Sequence, residues 1–150
     1  MNNYAEKLAA EANRKLFINR DHDDNVDFTI ISKDGRRFGV HSHIVQYKSE
    51  VLMRMMTSDF KEKHTRAIEL RMFNSKTVEY FLKFLYGFEL DNEDKDLDLA
   101  TLKELTVMGD MYDVKELQAA AILTMDRYLK ISLPRLVFNP ITYYDISRII

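Results

Sequence analysis

The stretch "VDFTIISKDGRRFGVHS", residues 26–42, limits the possible folds of this chain more than any other. Val26, Phe28 and Ile30 alternate with Asp27 and Thr29, the period of two that belongs to a strand with one buried face. Asp34-Gly35 supplies a turn, and "RFGV" returns with Phe38 and Val40 on one face. A lone hairpin is marginal in water. The other residues must therefore cover it.

Those residues read mostly as helix. Two prolines and four glycines in 150 residues leave little room for long loops. Tyr4, Leu8, Ala12 and Leu16 recur every fourth position, one face of a helix with Asn3 as its cap. That stripe is narrow and needs a partner, either its own core or another chain. "NRDHDDN" reads as a loop. After the hairpin, Ile44, Val45 and Tyr47 form a short apolar set. Ser49 caps a helix carrying Val51, Leu52, Met55 and Met56, with Glu50 facing its positive end. "TSDFKEKHTRA" reads as a polar loop with Phe60 exposed on it, and "AIEL" as a short strand.

Asn74 or Ser75 caps the clearest helix, which places Val78, Phe81, Leu82 and Leu85 on one face and stops at Gly87. "ELDNEDKDLD" is a solvated acidic loop. Leu99, Leu102 and Leu105 head a helix that runs to "GDMYD". Asp113 caps the last one, with Leu117, Ala121 and Met125 inward. The order predicts an α+β domain, a small sheet flanked by a cluster of helices.

Composition excludes several classes of function. Hydrophobic content is 46% and charged content 31%, and 22 basic against 24 acidic residues give a net charge of −2. Nothing here drives the chain to nucleic acid or to a membrane surface. The absence of cysteine removes disulfides, thiolate nucleophiles and Cys-ligated zinc. The N-terminus has no apolar signal core, and no stretch reaches the roughly 20 apolar residues of a membrane span. A soluble protein of cytoplasm or nucleus is expected.

Chemistry finds little support. Ser42 lies between His41 and His43, but no Gly-x-Ser-x-Gly elbow or phosphate loop is present. The carboxylates of "RDHDDN" and "DNEDKDLD" lack the pattern of a calcium hand. Zinc would have to draw on His22, His41, His43 and His64. His41 is better read as a buried ring closing the strand-to-helix junction, and His43 as a surface residue. No enzyme activity, metal or cofactor is expected.

Five landmarks in order resemble the BTB (POZ) domain family over about Asp27 to Leu129: "VDFTIISKDGRRFGVHSHIV", "YKSEVLMRMM", "DFKEKHTRAIEL", "VEYFLKFLYG" and "LKELTVMGDMYDVKEL". The resemblance divides the chain into an N-terminal helix and loop at 1–25, a core at 26–129 and an extension at 130–150. The extension carries Tyr143, Ile146 and Ile150; it is either a tail packed on the core or the start of a further helical domain in a longer protein. Val40-His41-Ser42 stands where the family has Ala-His-Lys. The basic residue that pairs with the strand's Asp in a charged pocket of some dimers is therefore missing, although Asp27 is present. Leu52 replaces an aromatic, and Met108-Gly109 stands at the family's Ala.

The resemblance implies an interaction module. A homodimer is implied, with Leu8, Ala12, Leu16, Asp27 and His41 at the interface and the first helix as the dimerisation helix. Cullin-3-binding members carry a hydrophobic-x-Glu motif before the strand that is "AIEL" here. Phe60-Lys61-Glu62 occupies that place, and Met56 and Tyr112 complete the implied cullin surface. Phe60 would be the anchor, with packing onto Met55 and Met56 as the bland alternative. The implied role is a substrate adaptor of a cullin-3 ubiquitin ligase, with the substrate held by a region outside this chain. The alternatives are a scaffold for transcriptional repression or cytoskeletal assembly, and a monomeric elongin-like adaptor.

Overall fold

Strand β1 (Phe28–Ser32) and strand β2 (Arg37–Val40) pair antiparallel with Phe28 opposite Val40 and Ile30 opposite Phe38. Gly35 takes a φ of +84° in the connecting loop, a conformation that side-chain-bearing residues rarely adopt. The computed structural model of the chain describes residues 3–58 and 61–132. Phe60 and the stretch 133–150 therefore lie outside the described residues. Strand β3 (Ala67–Leu70) joins the free side of β1 in parallel, Ile68 beside Ile30, so the sheet order is β2-β1-β3. A parallel return requires a crossover. Helices α2 (Ser42–Lys48), α3 (Glu50–Thr57) and α4 (Lys61–Thr65) lie along it.

Helix α1 (Asn3–Ile18) precedes the sheet, and a turn of 3-10 helix at Arg20–His22 leads into it. After β3 come α5 (Ser75–Leu85), α6 (Leu99–Met111) and α7 (Lys115–Ser132). The architecture is the expected α+β arrangement. The caps on α3, α5 and α6 are side-chain oxygens accepting amide hydrogens: Ser49 Oγ from Leu52, Asn74 Oδ1 from Thr77, Asp98 Oδ1 from Thr101. Gly87, at φ +101°, ends α5; Phe88 N–H donates to the Lys83 carbonyl and Gly87 N–H to that of Phe84.

Four local expectations change. The polar run before β3 contains α4, a single helical turn closed by the Arg66 amide on the Glu62 carbonyl (2.8 Å). Asn3 lies within α1 rather than capping it. Asp113 does not cap α7. It takes a left-handed φ of 54° that lets Val114 N–H reach the Gly109 carbonyl (2.8 Å), so it closes α6. Tyr47, grouped with Ile44 and Val45, is 85% exposed while those two are buried. A single core runs from Phe28, Ile30 and Phe38 through Leu52, Phe81 and Leu105 to Leu117 and Met125. At Gly109 a Cβ would stand 2.7 Å from the Gln118 amide nitrogen, so only glycine allows α6 and α7 to approach this closely.

Candidate functional site

The ends of β1 are tied to the first residues of two helices by the same device. At the near end, Asp27 Oδ1 accepts the Ser42 amide hydrogen (2.8 Å) and Oδ2 the Ser42 hydroxyl (2.5 Å). At the far end, Asp34 Oδ1 accepts the Ser75 amide (2.8 Å) and Oδ2 the Ser75 hydroxyl (2.7 Å). Each carboxylate sits where a helix presents unsatisfied amides and a partial positive charge. Ser42 thus fills the place of the missing basic residue with two hydrogen bonds instead of a charge. The cation comes from Arg66, whose Nη2 lies 3.5 Å from Asp27 Oδ2 and whose Nε donates to the Asp27 carbonyl (3.0 Å). Burial pushes the Asp27 carboxyl up, but the Ser42 bonds and Arg66 together hold it below the usual carboxylate value. Hydroxyls of Ser32 and Ser75 hold Asp34 lower still, at about 2.

His41 is 1% exposed. The Tyr86 hydroxyl accepts its amide hydrogen (2.8 Å) and lies 2.8 Å from Nδ1, while Nε2 lies 2.8 Å from Asp23 Oδ2. A hydroxyl has one proton to give. Donating it to Nδ1 leaves the Nε2 hydrogen for Asp23. Burial pushes the Tyr86 phenol up to about 12, so it holds that proton through the physiological range. The His41 bond holds Asp23 below its ordinary value. Both ring nitrogens point away from Ser42, whose hydroxyl is spent on Asp27, so no nucleophile–base pair forms at "HSH". His43 is exposed on α2 as expected. Among the described residues, no three His, Asp or Glu side chains are grouped to hold a metal, and no helix is long and apolar enough to cross a membrane.

The residues expected at a dimer interface separate into two groups. Leu8 is 48% exposed, Ala12 is exposed, and Leu16 is half-buried against the core. Helix α1 attaches through its other face. Ala10 lies against Gly87, where a Cβ would meet its carbonyl at 3.3 Å. Arg14 Nη1 donates to the Gly87 carbonyl (3.2 Å), and the Phe17 ring, 4% exposed, packs tilted against Tyr86 and edge-to-face with Phe88, at 5.1 and 5.7 Å. Phe17 was not on the expected stripe; the spacing of Ala10, Arg14 and Phe17 was the signal for it. Asp27 and His41 form the second group, with their polar atoms engaged inside their own chain. They brace the junction behind any surface that α1 and α2 present.

The residues expected to meet cullin also separate. Glu62 is half-buried on α4 and lines a cleft of about 290 Å³ with Met55, Lys61, Glu69 and Arg71. Met56 is 4% exposed and belongs to the core. Tyr112 is buried as well, its ring 5.6 Å from Phe81 and its carbonyl accepting the Ser49 hydroxyl (2.6 Å). Both were expected on the surface, but a helix carrying Leu52 and Met56 inward turns Met53 outward instead. Met53 and Met111 are the exposed methionines of α3 and α6.

The BTB/POZ domain family model matches residues 17–128. The fold is similar to a solved structure described as the BTB (Tramtrack and Bric a brac) domain of human Gigaxonin. The TM-score is 0.56 at 16% identity, covering 74% of this chain and 87% of that one. No curated protein sequence matches the chain.

Proposed function

Because this chain belongs to the BTB/POZ domain family, a family of protein–protein interaction modules that are typically non-catalytic, we propose that it acts as a homodimeric substrate adaptor for a cullin-3 ubiquitin ligase. The observation that carries the dimer is the two-sided use of α1. Its Ala10–Arg14–Phe17 face is spent on its own core, while Leu8 and Ala12 remain exposed. Tyr47 of α2, 85% exposed, faces Ala9 and Asn13 across a second cleft, between α1 and α2, and extends the same surface. An exposed apolar stripe beside a bare tyrosine is what a self-complementary interface needs. The ligase role rests on Phe60-Lys61-Glu62 and on the half-buried position of Glu62 in its cleft. Met55, which lines that cleft, supplies a softer apolar contact in place of the buried Met56 and Tyr112.

Three variants test the halves separately. Leu8→Asp is expected to turn a dimer into a monomer in light scattering with the circular dichroism spectrum intact. Glu62→Lys, with Phe60→Ala beside it, is expected to weaken pulldown of cullin-3 without changing the dimer. Unchanged pulldown by Glu62→Lys and by Phe60→Ala would remove the ligase role and leave the scaffold as the better reading.

A further inference from the structure

The chain leaving α5 folds back along it. The Tyr80 hydroxyl donates to Asp94 Oδ2 (2.6 Å) and helps close a cavity of about 140 Å³ between α5 and residues 88–94. Half-buried Tyr80, Phe84, Phe88 and Leu90 supply its apolar lining. Glu89, Asp91 and Asp94 supply three carboxylates. Among the described residues that line it, the one cation is Lys83, whose ammonium lies 5.9 Å from the Tyr80 ring centre.

Aromatic faces attract cations within about 6 Å. Three carboxylates against one ammonium leave the lining net negative, so a second cation is favoured. The volume admits one side-chain head with a few methylenes and is too small for a cofactor. Its geometry selects a guanidinium, which is planar, stacks on rings and forks onto carboxylates. We propose that this groove takes an arginine side chain from an extended peptide of a partner protein, with apolar neighbours lying on Phe84 and Phe88. Lys83 acts as a resident competitor, holding the field of the site until the incoming guanidinium displaces it. The groove is formed by α5 and the chain after it, with Glu89 also bordering α1 beside Lys7 and Arg14.

The test is an amide-resonance titration of the full chain with the blocked peptide Gly-Leu-Arg-Leu-Gly and its counterparts with Gln or Glu at the centre. The arginine peptide is expected to shift and saturate the resonances of Tyr80, Phe84, Phe88 and Leu90, more weakly as salt rises. Lys83→Gln is expected to tighten binding about fivefold by removing the competing charge, and Asp91→Asn to loosen it by a similar factor. Four results would each overturn the proposal: no saturable shift, equal binding of the Gln peptide, shifts mapping elsewhere, or no gain from Lys83→Gln. Concentration-dependent shifts of the same resonances without peptide would assign the groove to a second copy of the chain and overturn it too.

Discussion

Replacing Tyr86 by Phe removes one oxygen and leaves the ring. That oxygen accepts the His41 amide hydrogen and donates to His41 Nδ1, both at 2.8 Å. Tyr86 and His41 are 0% and 1% exposed, so water cannot replace it without opening the core. Each buried group left without a partner costs about 1–3 kcal/mol. Two such groups share one site and relax together, so the sum falls to about 2–4 kcal/mol rather than the additive limit. The ring contact with Phe17 at 5.1 Å survives and contributes nothing to the difference. Against a total stability on the order of 5–15 kcal/mol, this is a large fraction. The assay is equilibrium urea unfolding of both proteins at one chain concentration, since dimerisation would make stability concentration-dependent. The same substitution in a His41→Leu background keeps the backbone amide but removes Nδ1, so its cost there is expected to drop by about 1 kcal/mol. A loss below about 0.5 kcal/mol in the natural background would refute the assigned hydrogen bonding, since surface changes alone reach that size.

Acid exposes the second clamp. Asp34 titrates near 2 when folded and at 3.8 in its ordinary state. A lowered folded value stabilises the protein above the unfolded value, and that contribution fades as pH falls from about 4 towards 2. Asp34→Asn is expected to flatten that limb of a stability-versus-pH curve, and an unchanged slope would argue against the Ser32 and Ser75 bonds. Gly109→Ala gains helix propensity but drives a methyl to within 2.7 Å of the Gln118 nitrogen. Overpacking of about 1–3 kcal/mol is expected to win, lowering the thermal midpoint. An equal or higher midpoint would mean that α6 and α7 separate easily.

Local pattern carried the hairpin, β3 and the clear faces of α5 and α7, because each side of those elements either enters the core or meets water. The same logic left α1 open between its own core and another chain. Its visible stripe through Tyr4, Leu8 and Ala12 is exposed, while a face holding an alanine, an arginine and one phenylalanine docks on Gly87. A helix that serves two neighbours has two faces, and hydrophobic spacing alone does not say which is internal. Helix α4 was missed because "KEKHT" has no apolar period; it is a turn held by its own backbone. His41 was legible as a junction residue, but Tyr86 and Asp23 as its partners were not, since they lie 45 and 18 positions away. The same distance effect hid the aspartate clamps, where Asp27 reaches 15 positions to Ser42 and Asp34 reaches 41 to Ser75.

Those clamps turn β1 into a gauge of length. Side-chain substitutions inside the strand leave both ends where they are. Inserting or deleting one residue does not: if Asp27 keeps Ser42, Asp34 no longer reaches Ser75, and the Phe28–Ile30 alternation is flipped across the sheet. The hairpin therefore tolerates drift in composition far better than drift in length. The acidic stretch after α5 is tied as well, Tyr80 to Asp94 and Lys76 to Asp98, but both ties run back to α5 alone and measure no strand of the sheet.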